Sequence, residues 1–172
     1  MVDKGGVVGA VFLDVRKAFD TVNHQVLAKL SAFNFSPLTL KWIESYLTGR
    51  SQHVFVDNQR SPALNLCTGV PQGSILGPLL FSLYINYLPL VCPDIKIQMY
   101  ADDTVVHVHA KTKDLAAAKL TTAMDQITNW LNHSCLQLNV NKTIGMFFTK
   151  RQCNIMSNIT ISRSKHKYCA TI

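Results

Sequence analysis

The stretch IQMYADDTVVHVH sets Asp102 and Asp103 side by side between two apolar, strand-like runs, in a chain of 172 residues that holds ten acids. Two adjacent carboxylates repel one another, and beside apolar strands they must lose a charge or gain a cation. Oxygen donors of this kind suit Mg²⁺. The ordinary alternative is turn chemistry, since Asp tolerates positive φ in a tight hairpin. A two-metal centre for phosphoryl transfer needs a further carboxylate from elsewhere in the chain, with the ions about 3.5–4 Å apart. Asp14 offers one, because it closes the first apolar run, VVGAVFL, and adjacent strands in one sheet would bring the three acids together. Taken alone, Asp14 reads equally well as a strand-end or helix-cap acid.

The elements that must position these acids follow from hydrophobic period and punctuation. Val7 to Leu13 reads as a buried strand. Val22, Val26, Leu30 and Phe33 recur at helical spacing, and Ser36 with Pro37 opens a second helix that Gly49 closes. Gln52 to Asp57 and Ala63 to Cys67 read as a hairpin around a turn at Asn58 to Pro62. TGVPQG is a loop, and LGPLLFSLYINYLPLVC a core helix too interrupted and too short to span a membrane. Ile95 to Ala101 and Thr104 to His109 form a hairpin with the aspartates at its turn. Leu120, Met124, Ile127 and Leu131 define an amphipathic helix from Lys113 to His133. Leu136 to Val140 and Ile144 to Phe148 read as strands around NVNKT, with a further short strand at Ile155 to Ile161. The order is α+β rather than regular alternation.

Composition narrows the function classes. Seventeen Lys and Arg against ten acids give a formal net charge of +7, which suits an anionic partner such as nucleic acid. Nearly half the residues are hydrophobic, enough to bury a core and to argue against disorder. Five widely spaced cysteines without a CxxC pair argue against a zinc site or a disulfide scaffold and suit a reducing, intracellular compartment. The first fifteen residues lack the long apolar run and small-residue cleavage site of a secretory leader.

FLDVRKAFDTVNH, GVPQGSILGPLLF, YADDT and LQLNVNKT stand in the order of motifs A, B, C and D of reverse transcriptases, and their wording resembles that of LINE-type (non-long-terminal-repeat) retrotransposons. The resemblance runs from about Val7 to Phe148 and implies an RNA-directed DNA polymerase. The fold it implies is an α+β polymerase palm, with a ferredoxin-like antiparallel sheet and packed helices, over residues 1–150. Residues 151–172 would then begin the segment leading to the thumb. Asp14, Asp102 and Asp103 match the metal-binding carboxylates, holding two Mg²⁺ ions, with Mn²⁺ as the alternative. Phe19 matches the steric gate that leaves no room for a 2′-hydroxyl, and the neighbouring Asp20 is expected to cap the following helix. Gln72 and Gly73 match the loop that meets nucleotide and template, Gly73 by allowing close backbone approach. Lys142 matches the motif D lysine, a general acid toward pyrophosphate, although the family often carries an acid where this chain has Ile144. The partners implied are an RNA template, a DNA primer and deoxynucleoside triphosphates, without a membrane, in the nucleus or the cytoplasm.

The family places a fingers segment before motif A and a thumb after the palm, so the sequence is expected to be a palm fragment of a truncated element or incomplete gene model. The rival expectation is an inert remnant that retains only nucleic-acid binding.

Overall fold

The computed structural model describes residues 6–24, 26–150, 153–155, 160–161 and 170–171. The chain divides into two units, Met1–Ala18 with Ile85–Ile172, and Phe19–Tyr84.

The first unit is built on strand β1 (Val7–Leu13), which lies in the middle of a five-stranded sheet. Its neighbours on one side are β7 (Asp103–Ala110) and then β6 (Lys96–Tyr100); on the other they are β8 (Ile144–Phe148) and β9 (Cys153–Ile155). Every pairing is antiparallel. The central place explains the continuous apolar run of β1, with Ala10, Val11 and Leu13 buried and only Phe12 substantially exposed. β7 instead alternates, burying Thr104, Val106, Val108 and Ala110 along one face. Helix α3 (Lys113–His133) packs against β1 and β7. Its stripe of Ala116, Leu120, Met124, Ile127 and Leu131 is fully buried, as the sequence spacing requires. Thr112 caps its start, accepting from the Leu115 N–H at 3.2 Å. The buried Cys92 donates its Sγ hydrogen to Gln126 Oε1 on α3, and burial pushes its thiol pKa up. Two further strands, β10 (Thr160–Ile161) and β11 (Ala170–Thr171), pair with each other.

The second unit opens with a 3-10 helix at Val26–Phe33 where the spacing suggested an α-helix. Helix α1 (Pro37–Leu47) then starts as expected, Ser36 Oγ accepting from the Thr39 N–H and Pro37 supplying a residue with no donor to satisfy. The expected hairpin exists but turns earlier. β2 (Ser51–Gln52) pairs with β5 (Leu64–Asn65), while β3 (Phe55–Val56) pairs with β4 (Gln59–Arg60) around Asp57 and Asn58. Both turn residues take positive φ, +48° and +61°, a conformation Asp and Asn accept, so the turn lies at 57–58 rather than 58–62. Helix α2 (Leu76–Ile85) follows the TGVPQG loop, and a separate 3-10 turn at Leu88–Leu90 replaces the rest of the long helix that the apolar composition suggested.

Two strand expectations need correction. Leu136 to Val140 is no strand: it touches β1's exit through a single bridge, Val15 to Leu138, with the Gln137 carbonyl accepting from the Arg16 N–H and the Asn139 N–H donating to the Asp14 carbonyl. Asp103 belongs to β7, leaving Ala101 and Asp102 as the two-residue turn. The expected strand at 155–161 lies partly outside the described residues; what is described there belongs to β9 and β10. No helix among the described residues is long and apolar enough to cross a membrane.

Candidate active site

The register of β1 and β7 decides where the three acids stand. Leu13 pairs with Thr104, both buried, so the next step along the two strands brings Asp14 and Asp103 to the same sheet end. Asp102 precedes Asp103 in the turn, whose flanking pair is Tyr100 with Asp103. Ala101, at the first central position of that turn, has φ +53°, the sign a type II′ turn demands and usually assigns to Gly. The turn therefore directs two consecutive carboxylates into an exposed position while Thr104 is already in the core.

Asp14 is half-buried and closely held. Its Oδ2 accepts from Asn139 Nδ2 at 2.7 Å and its carbonyl from the Asn139 N–H at 2.7 Å. Its own N–H reaches Thr143 Oγ1 at 3.4 Å, and that buried hydroxyl donates to the Asn139 carbonyl at 2.9 Å. The same carbonyl accepts from the N–H groups of Lys142 and Thr143, which closes the NVNKT turn. Lys142 projects from this turn as an exposed side chain. Sequence reasoning singled out Lys142 and passed over Asn139 and Thr143. An amide in a turn carries no distinguishing signal until its partner is known, and that partner lies 125 residues away.

Asp14, Asp102 and Asp103 are hard oxygen donors of the type that Mg²⁺ takes, and the register gathers the strand ends that carry them. They suit a divalent ion by donor type. Among the described residues, however, no three acidic, histidine or cysteine side chains are grouped closely enough to hold an ion.

The second unit holds Phe19, Gln72 and Gly73. The half-buried ring of Phe19 packs on Phe81, which is fully buried on α2, with centroids 4.9 Å apart and planes 44° apart. Within this unit the TGVPQG loop is tied to the segment that begins at Phe19. Val70 N–H donates to the Phe19 carbonyl, Gly69 N–H to Val22, and Thr68 Oγ1 to Asp20, at 2.8, 2.8 and 3.1 Å. The Gly69 carbonyl accepts from Arg50 Nη2 at 2.5 Å and lies 2.8 Å from His24 Nε2. Within this unit a close backbone approach occurs at Gly69, where a Cβ would stand 2.8 Å from the Asp20 carbonyl oxygen. Gly73 is required by its φ of +76°, with open space where a Cβ would be. Ser74 Oγ accepts from the Gly77 N–H at 3.0 Å and so starts α2. Asp20 is exposed, and among the described residues the following helix starts only at Val26; the Asp20 Oδ1 accepts from Gln72 Nε2 at 2.7 Å.

Residues 2–168 match the family model for reverse transcriptase (RNA-dependent DNA polymerase). The chain belongs to the reverse transcriptase family. It is 34% identical over 158 residues to the RNA-directed DNA polymerase from mobile element jockey of Drosophila melanogaster, covering 88% of this chain and 17% of that protein. It is likewise 34% identical over 149 residues to the probable RNA-directed DNA polymerase from transposon BS of the same species, covering 81% of this chain and 16% of the relative. The chain thus spans about a sixth of the length of these curated relatives. Among solved structures, apo telomerase from Candida tropicalis, truncated from its C-terminal domain, superposes with a TM-score of 0.59 at 16% identity, covering 88% of this chain and 33% of that one. At that identity the likeness concerns the fold, a mixed α and β arrangement with an antiparallel sheet. This is a reverse transcriptase domain of the kind found in LINE-type elements.

Proposed function

We propose that this reverse transcriptase domain is the palm of an RNA-directed DNA polymerase of ferredoxin-like topology, which adds deoxynucleotides to the 3′-hydroxyl of a primer on an RNA template. The observation that carries the reading is the strand register that brings Asp14 and Asp103 to one sheet end with Asp102 in the adjoining turn, in a chain of this family. Asp14, Asp102 and Asp103 would hold two divalent ions, Mg²⁺ by preference. Such ions would supply a lowered pKa at the primer hydroxyl and stabilisation of charge on the departing pyrophosphate.

The chain's own residues do the rest. Asn139 donates to Oδ2 of the Asp14 carboxylate and so fixes how that carboxylate is presented. The Phe19 ring, braced by Phe81, excludes a 2′-hydroxyl by clash. Gln72 meets the nucleotide through its amide, and Gly73 allows the backbone turn that presents it. Lys142 donates a proton to pyrophosphate.

The test uses the full-length polymerase that carries this domain, with a primed RNA template, deoxynucleotides and Mg²⁺. Template-dependent extension that Asp14→Asn removes supports the reading. Nucleic-acid binding without extension would favour an inert binding remnant instead.

A further inference from the structure

Asp20 is an exposed acid that no step of the proposed chemistry uses, and yet it stands where the segment after Phe19 and the TGVPQG loop are joined. We propose that Asp20 is a positioning residue for Gln72: by accepting its Nε2 hydrogen, Asp20 turns the amide so that Oε1 faces outward as an acceptor for a hydroxyl or amino hydrogen of the incoming nucleotide. The inference rests on the polymerase reading above.

The orientation follows from donor and acceptor chemistry. An ionised carboxylate can only accept, so of the two ends of the Gln72 amide only the NH₂ can face Asp20 Oδ1 at 2.7 Å. An exposed glutamine without such a partner presents donor and acceptor interchangeably and pays rotamer entropy each time it is ordered. Here the ordering is largely done beforehand. The Asp20 main chain is gripped by Thr68 Oγ1 at its carbonyl, and the adjoining Gly69 lies so close that no side chain would fit between them. Flanking bonds from Val70 to Phe19 and from Gly69 to Val22 fix the two segments on either side. The carboxylate is therefore offered from a backbone held by these bonds, through a charge-assisted bond stronger than a neutral one.

The experiment measures single-nucleotide insertion on a primed RNA template by the full-length polymerase that carries this domain. Asp20→Ala is expected to raise the nucleotide KM about fivefold, the equivalent of one such bond, with kcat changing far less. Asp20→Asn, whose Oδ1 accepts the same hydrogen, should return KM to within about twofold of the parent. In a Gln72→Ala background, Asp20→Ala should change KM by less than about twofold, because the residue it acts through is gone. Gln72→Glu sets two carboxylates face to face and should raise KM; adding Asp20→Asn to it reverses the bond and should recover much of the loss, even if the alanine variant fails to fold. Equal effects of Asp20→Ala with and without Gln72, or no recovery in the swapped pair, would overturn the inference alone. A parent enzyme that inserts nothing overturns it together with the polymerase reading.

Discussion

Replacing Asp14 or Asp102 by Asn keeps each side chain's shape and removes the charge that a divalent ion would need. Each variant is expected to keep its fold and to lose more than about a hundredfold in extension rate, since even changes to groups that merely support metal ligands cost 10–100-fold. Extension near the parent rate by either would defeat the assignment. In the proposed site Asn139 would be such a supporting group, and only one of its bonds to Asp14 is made by its side chain. Asn139→Ala keeps every backbone bond of the turn, so the expected result is a rise of about tenfold in the Mg²⁺ concentration for half-maximal extension, with the melting temperature little changed. A large fall in melting temperature with unaltered metal dependence would make Asn139 purely structural. Phe19→Val should open the space filled by the ring and raise the ratio of kcat/KM for ribonucleotides over deoxynucleotides. An unchanged ratio would reduce Phe19 to a packing partner of Phe81.

The hairpin that presents Asp102 and Asp103 is strained at Ala101, which holds a positive φ normally left to Gly. Ala101→Gly should relieve about 1 kcal/mol of that strain and raise the melting temperature, while loosening the turn and slowing extension. A lower melting temperature would mean that the turn is not strained. The same hairpin shows what the sequence could disclose. Apolar runs around a pair of aspartates were enough to locate both strands, and helical spacing located α3 to the residue, because burial imposes those periods directly. Leu136 and Leu138 carried an equally good period-two pattern and are indeed buried, but alternation reports which way side chains face, and this segment faces inward without joining a ladder. Strand-end placement nominated Asp14 and motif matching Phe19, Gln72 and Lys142, whereas the residues that brace Asp14, Phe19 and Gln72, namely Asn139, Phe81 and Asp20, were invisible in those roles. Their signals are contacts across 125, 62 and 52 positions, which no local pattern encodes.

At the scale of the whole molecule, the 172-residue chain brings a net charge of +7 to any encounter with a polyanion. Contacts between Lys or Arg and phosphates release condensed counterions, so affinity falls linearly in log–log form with salt and carries no sequence preference. Neutralising about five phosphates of a single strand gives a slope of about −3.5, and binding of this sort has a dissociation constant of about 10⁻⁴–10⁻⁶ M at physiological salt. The second unit adds exposed apolar groups, among them Trp42, Phe55, Leu64 and Ile75, and stacking of bases on exposed aromatic rings such as Trp42 and Phe55 would contribute a part that salt does not screen. Titrating the chain with labelled single-stranded RNA and DNA of several sequences between 50 and 200 mM salt, followed by anisotropy, separates the two contributions. Steep slopes shared by all sequences are expected, with affinities that converge on a weak, salt-independent remainder. A shallow slope, or a strong preference for one sequence, would show that the positive charge is not what draws this domain to nucleic acid.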